Sequence, residues 1–210
     1  MRGGIPASRR GGATALDLLV LATKNDGKAR ELGALLGGVA RRFESLATHP
    51  GVELPPETPT SYRENALAKA RAVQAALGAP ALGDDSGLEV DALGGAPGVI
   101  SARYAGEGAG DAANNRKLLA ALRGLPAERR TARFRCVLAL VRAPGDEVIV
   151  EATCEGRILD APRGTGGFGY DPLFLPEGQT LSFAELSAGV KNRISHRGRA
   201  AAALVAEAGA

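Results

Sequence analysis

The chain has 210 residues, 45% of them hydrophobic and 23% charged, enough to bury the core of one sizeable domain or a two-lobed one. Its formal charge of +3 is matched by Arg2, Arg9 and Arg10 in residues 1–16, a segment with no acid, so the rest of the chain is neutral. A neutral body lacks the broad positive field that holds nucleic-acid polymers, and no apolar run approaches the ~20 residues that cross a bilayer.

Residues 1–16 are basic and glycine-rich but have no apolar h-region, so they read as a disordered extension rather than a secretory signal. A single domain is expected over 17–210. Asp17–Thr23 (DLLVLAT) is predicted as a short buried strand, broken by Asn25, Asp26 and Gly27. Lys28–Leu36 follows with Ala29, Leu32, Leu35 and Leu36 on one helical face. A second strand is expected over Arg42–Ala47. Pro50, Pro55, Pro56 and Pro59 make Thr48–Thr60 a loop. Ser61-Tyr-Arg-Glu64 fits a capping box and opens a helix to about Leu77. Its apolar stripe is Tyr62, Ala66, Ala70, Val73 and Leu77, and Lys69 falls within that stripe rather than opposite it.

Pro80–Gly83 reads as a buried strand ending at Asp84, and Leu88–Leu93 as another, followed by the loop GGAPG. Asp111–Leu122 is helical in pattern. Ala132–Val141 and Glu147–Thr153 form an antiparallel pair around the turn Ala143-Pro-Gly-Asp146, and Gly156–Pro162 is expected to add a strand. Phe183–Leu186 is a short helical piece, and Ser195 caps a last helix through Ala208. Helices and strands alternate early and strands cluster late, which predicts an α/β fold with a mixed sheet flanked by helices. Cys136 and Cys154 lie in apolar strand-like segments with no CxxC and no Cys/His cluster. That excludes a zinc site and suits two reduced thiols of a cytosolic protein.

Five stretches carry chemistry. In LATKNDGKARELGALL (Leu21–Leu36) a strand, a polar turn and a helix N-terminus offer amides to phosphate, with Lys28 as a mobile charge; a plain strand–helix turn reads equally well. Lys69 on the apolar stripe either snorkels past it or points into a cleft. Asp84-Asp85-Ser86-Gly87 pairs two carboxylates between apolar segments. Side by side they repel unless a divalent cation or a lysine balances them. In an extended backbone they point to opposite sides, so one can hold metal or activate water while the other pairs with a lysine. The alternative is a polar surface turn. GTGGFGYD (Gly164–Asp171) lets backbone approach a ligand and offers Phe168 and Tyr170 for stacking on a base, or else is a hairpin whose aromatics plug the core. KNRISHR (Lys191–Arg197) is either a solvated basic connector or a set of donors for an acceptor-rich ligand such as a purine carbonyl.

Together LATKNDGKARELGALL, SYRENALAKA, DDSGLEVDALGGAPGVISARYAG, GTGGFGYDPLF and KNRISHRGRA, in this order from about Leu18 to Ala208, resemble the inosine triphosphate pyrophosphatase family. The resemblance implies an elongated α/β fold with two lobes around a central cleft, and a cytoplasmic homodimer. It implies Mg²⁺-dependent hydrolysis of ITP, dITP and XTP to the nucleoside monophosphate and pyrophosphate. By the same similarity, the turn of Thr23, Lys24, Asn25, Asp26, Gly27 and Lys28 binds the triphosphate, with Lys69 and Ser86 nearby. Asp85 resembles the general base and a metal ligand, Asp84 and Lys69 its catalytic partners, and Glu57 a second metal ligand. Phe168, Gly169, Tyr170, Asp171, Lys191, His196 and Arg197 match the base-binding positions. Pro59 stands where the family pattern has glycine. The expected substrate is a purine nucleotide, not a nucleic-acid polymer or a membrane. Rival readings are a pyrophosphatase with another base preference and a nucleotide-binding module without catalysis.

Overall fold

The computed structural model of the protein describes residues 15–208, so the expected extension falls almost wholly outside the described residues. Leu16 already forms a parallel bridge to Ala40. In chain order the elements are β1 (Leu19–Leu21), α1 (Asp26–Leu35), β2 (Phe43–Ser45), α2 (Tyr62–Leu77), β3 (Ala81–Val90), α3 (Gly110–Ala121), β4 (Thr131–Ala143), β5 (Asp146–Ile158), β6 (Phe174–Pro176), α4 (Ala188–Ile194) and α5 (His196–Ala208). They form one six-stranded sheet of order β2-β1-β3-β4-β5-β6. β1 pairs in parallel with β2 and β3, with α1 and α2 as the crossovers, whereas β3 to β6 pair antiparallel. The mixed sheet flanked by helices agrees with the sequence pattern, a parallel α/β end joined to a long antiparallel hairpin.

The helix starts follow their side chains. Asn25 caps α1 by accepting from the Lys28 amide at 3.0 Å, and Ser61 caps α2 by accepting from the Glu64 amide at 3.1 Å. Gly78 ends α2 in the left-handed region at φ 64, the conformation glycine takes most cheaply. The buried face of α2 is Asn65, Ala66, Lys69, Ala70 and Val73, so Lys69 does sit in the apolar stripe. Ala66 and Ala70 pack against Val137, Ala139 and Val141 of β4. The approach of α2 to β3 is so close that a Cβ at Gly83 would lie 1.9 Å from the Ala66 carbonyl oxygen.

The apolar interior divides along β3. One cluster packs Leu32, Leu36, Ala200 and Leu204 of α1 and α5 on Leu19, Leu21, Leu82, Leu138 and Leu140. Another packs Leu118 of α3 with Leu88, Val90, Phe134, Phe174 and Phe183. Between them β3 reads Gly83-Asp-Asp-Ser-Gly87, with no apolar side chain, and a cavity lined by Ser86 and Gly87 opens there.

Four expectations are corrected. Asp84–Gly87 is no turn. β3 runs unbroken from Ala81 to Val90, because these residues pair with Leu138, Val137, Cys136 and Arg135 of β4 and the carboxylates find cations. Gly156–Ile158 is the end of β5 rather than the start of a new strand, and it pairs with β6. Phe183–Leu186 is a turn around Ser182, whose carbonyl accepts from both Glu185 and Leu186. The expected connector before Ser195 contains the helix α4, capped by Ser187.

Candidate active site

The alternation of a strand sets the site. Asp84 and Asp85 are both 3% exposed, yet they face opposite sides of the sheet. On the α5 side, Asp84 Oδ2 accepts from Arg197 Nε at 2.9 Å, and Oδ1 accepts from the Ser86 hydroxyl at 3.0 Å and from Lys28 Nζ. On the α2 side, Asp85 accepts from Lys69 Nζ at 3.0 Å and from Asn65 Nδ2 at 3.1 Å. The like charges are therefore divided between two cation groups.

Their acidities diverge in consequence. Burial pushes Asp84 upward, but the Arg197 guanidinium and the Lys28 ammonium overcome it and hold the carboxyl well below the usual carboxylate range. For Asp85 burial wins over Lys69 and Lys28, and its pKa is raised. Two adjacent carboxylates with pKa values pushed apart are suited to different tasks, one a fixed anion and one a proton acceptor.

Lys69 joins Asp85 to Glu57, which it also pairs with, and Arg103 Nη1 holds the other Glu57 oxygen at 2.6 Å. Burial raises the Glu57 pKa, but Lys69 and Arg103 outweigh it and the net shift is downward. Lys69 itself, although burial alone would lower it, is held charged by Asp85 and Glu57. The expected partnership of Lys69 with the Asp84 carboxylate is not found; Lys69 reaches only the Asp84 backbone carbonyl, at 3.4 Å, because the Asp84 side chain is on the other face. Asp85 and Glu57 share one ammonium, so their oxygens converge on one place. Mg²⁺ takes one or two carboxylates and completes its shell with water and phosphate, and this donor set fits it.

The phosphate turn lies beside Asp84. Thr23 Oγ1 accepts from the Asn25 amide at 3.0 Å, and Asn25, Lys24 and Asp26 are exposed at the start of α1. A Cβ on Gly27 would meet the Phe168 ring at 2.8 Å, so the turn and the glycine loop touch. The far wall holds the other predicted residues. Asp171 accepts from the Phe168 amide at 2.9 Å and from Lys191 Nζ at 2.6 Å. His196 is buried, stacked on Phe134 with centroids 4.6 Å apart, and its Nδ1 is buried without a hydrogen-bond partner. Burial, assisted by Arg197, lowers its pKa well below the ordinary value, so the imidazole is neutral and carries one N–H donor. Asn25, Lys28, Ser86, Phe168–Asp171, Lys191, His196 and Arg197 line one cavity. A larger open groove of about 560 Å³, which includes Asp91, Glu128, Arg133, Glu155 and Gln179, lies at the open end of the β4–β5 hairpin; Arg133 there is already held by Glu155 and Asp91.

Sequence reading missed Glu31, Asn65, Arg103 and Phe134. Glu31 on α1 accepts from Lys191 Nζ at 2.7 Å and from Arg197 Nη1 at 2.6 Å, tying α1 to both cations of the cavity wall. Its spacing from Lys28 (i, i+3) was an available signal. Asn65 lies one turn before Lys69 on the same buried stripe, which was another.

The chain is similar to several known proteins. A dITP/XTP pyrophosphatase of Geobacter sulfurreducens is 51% identical over 186 residues, covering 89% of this chain and 94% of that protein. A dITP/XTP pyrophosphatase of Geobacillus kaustophilus is 53% identical over 184 residues, covering 87% and 89%. Among solved structures, a HAM1 protein from Coxiella burnetii superposes with a TM-score of 0.80 at 41% identity, covering 90% of this chain and 97% of its own. The dITP/XTP pyrophosphatase from Mycobacterium abscessus does so with a TM-score of 0.71 at 45% identity, covering 89% and 98%. With the model of the Ham1 family matching residues 19–207 as well, the chain belongs to the Ham1 family.

Proposed function

We propose that this protein hydrolyses the non-standard purine nucleoside triphosphates ITP, dITP and XTP to the nucleoside monophosphate and pyrophosphate; relatives named dITP/XTP pyrophosphatase support the reading. The observation that carries the reading is the division of Asp84 and Asp85 between two faces, with the acidity of one lowered and of the other raised.

In this reading the triphosphate enters at the N-terminus of α1, where the amides of the turn and Lys28 receive its oxygens. Phosphate oxygens compete with Asp84 for Lys28, while Arg197 keeps Asp84 ionised and in place. Asp85 accepts a proton from the water that attacks the α-phosphorus, the bond from that phosphorus to the bridging oxygen breaks to release pyrophosphate, and Lys69 balances charge on the phosphoryl oxygens. Asp85 and Glu57 hold Mg²⁺, which when bound screens the phosphate charge and polarises the anhydride. At the base, Lys191 and the neutral His196 present donors. A 6-oxo group accepts them, whereas the amino group of adenine opposes donor to donor and leaves both unpaired.

No described helix is long and apolar enough to cross a membrane. Both thiols are free and buried, which supports a reducing, cytoplasmic compartment. The homodimer rests on the family resemblance, and light scattering on the purified chain decides it. The function itself is tested by pyrophosphate release from ITP, XTP, dITP, GTP and ATP, with Mg²⁺ and with EDTA. Metal-dependent release from ITP, dITP and XTP alone is expected. Equal release from ATP refutes the base reading, equal release from GTP refutes the restriction to non-standard purines, and release from none refutes catalysis.

A further inference from the structure

The peptide groups of Gly169, in the middle of the glycine loop, are gripped from α3, by Asp111 at the cavity wall and by Asn115. Asp111 Oδ2 accepts from the Gly169 amide at 2.7 Å, and Asn115 Nδ2 donates to the Gly169 carbonyl at 3.0 Å. The two side chains are one turn apart on α3 and so share a helical face. Gly169 has φ 62, a left-handed conformation in which the loop changes direction between Phe168 and Tyr170.

What lies on either side of this grip is the ligand wall. Before it, the Phe168 ring reaches across to Gly27 of the phosphate turn. After it, Tyr170 is anchored by its hydroxyl to the Ser101 carbonyl at 2.9 Å. The orientation of the Phe168 ring therefore depends on how the Gly169 peptides are held. Packing alone does not account for Asn115: its Oδ1 is buried without a hydrogen-bond partner. An unpaired buried acceptor costs stability, so the benefit of this residue lies in its amide nitrogen.

We propose that Asp111 and Asn115 are positioning residues for substrate selection, holding Gly169 so that the Phe168 ring meets the purine. The proposal rests on Phe168–Asp171 being the base-binding loop. It is tested with Asn115→Leu, Asp111→Ala, Asp111→Asn and Phe168→Ala, by steady-state kinetics on ITP with Mg²⁺ and by thermal melting. Asn115→Leu is expected to raise KM about tenfold, the loss of one oriented hydrogen bond, with kcat within about threefold. Its melting temperature stays level or rises, because the orphaned oxygen is gone. Asp111→Ala raises KM similarly, and Asp111→Asn, which keeps an acceptor, recovers most of that loss. Lower melting temperatures with normal KM in Asn115→Leu and Asp111→Ala would overturn the proposal in favour of a purely structural role. If Phe168→Ala raises KM and the α3 variants do not, the base loop stands and the grip is refuted. If Phe168→Ala leaves KM unchanged, both readings fail.

Discussion

Replacing Asp85 by Asn removes the proton acceptor, and with it one of the two carboxylates proposed for Mg²⁺, with little change of shape. The amide oxygen can still accept from Asn65 or Lys69, and Lys69 retains Glu57. Removing a general base is worth about 10²–10⁴ in rate, or ~3–5 kcal/mol in the barrier, and kcat for ITP should fall by that amount. Stability should move the other way or not at all. The pKa of Asp85 is raised in the folded protein, by burial first, with Lys69 only partly compensating. The folded state thus holds this proton more tightly than the unfolded chain does. The contribution of the group to stability is fully present below its unfolded pKa and is lost as pH rises through the folded value, so at neutral pH the ionised carboxylate is a cost. Asn removes that cost, and the melting temperature is expected within a few degrees of wild type or above it. The pH profile gives a second readout. Catalysis needs ionised Asp85, so the acid limb of wild-type kcat should lie above the ~3.9 of a free aspartate and be missing from the variant. The assay is pyrophosphate release across pH, with melting in the same buffers. A kcat within a few-fold of wild type, or an unchanged acid limb, refutes the assignment.

Lys69→Ala should lower kcat about 10²-fold or more while costing a few degrees of melting temperature; a large melting loss with normal kinetics would return Lys69 to a snorkelling side chain. Glu31→Gln removes the carboxylate shared by Lys191 and Arg197 and should raise KM for ITP about tenfold, and normal KM would show that neither cation needs it. The variant also flattens the acid limb of stability. Although burial raises it, Arg197 and Lys191 bring the Glu31 pKa below the model-compound value of 4.5, so its contribution is present above that pH and is lost as pH falls through the folded value. Gly83→Ala places a methyl 1.9 Å from the Ala66 carbonyl and should cost about 1–3 kcal/mol, or several degrees, by pushing α2 off β3; an unchanged melting temperature would mean that the helix yields freely.

What could be read from the chain follows the range over which each signal acts. The caps at Asn25 and Ser61, the stripe of α2 and the hairpin around Gly145 are set by neighbours a few residues apart, and they stand in the structure where their patterns put them. The paired aspartates were legible for the same reason, since the period of two that separates their side chains is a property of any strand. What misled was their composition: Asp, Ser and Gly favour turns, and only pairing with β4 and cations from three helices keep Asp84–Gly87 extended. Lys69 could be seen to be out of place, but not which carboxylate would claim it. Glu31 shows the limit. On α1 it has the look of any half-exposed helical glutamate, and its meaning comes from Lys191 and Arg197, placed 160 and 166 residues later by α4 and α5. Asp111 and Asn115 are hidden in the same way, their partner being a peptide group of Gly169, and a backbone amide leaves no trace in residue type. Local periodicity therefore discloses the groups that face a ligand sooner than those that hold them in place.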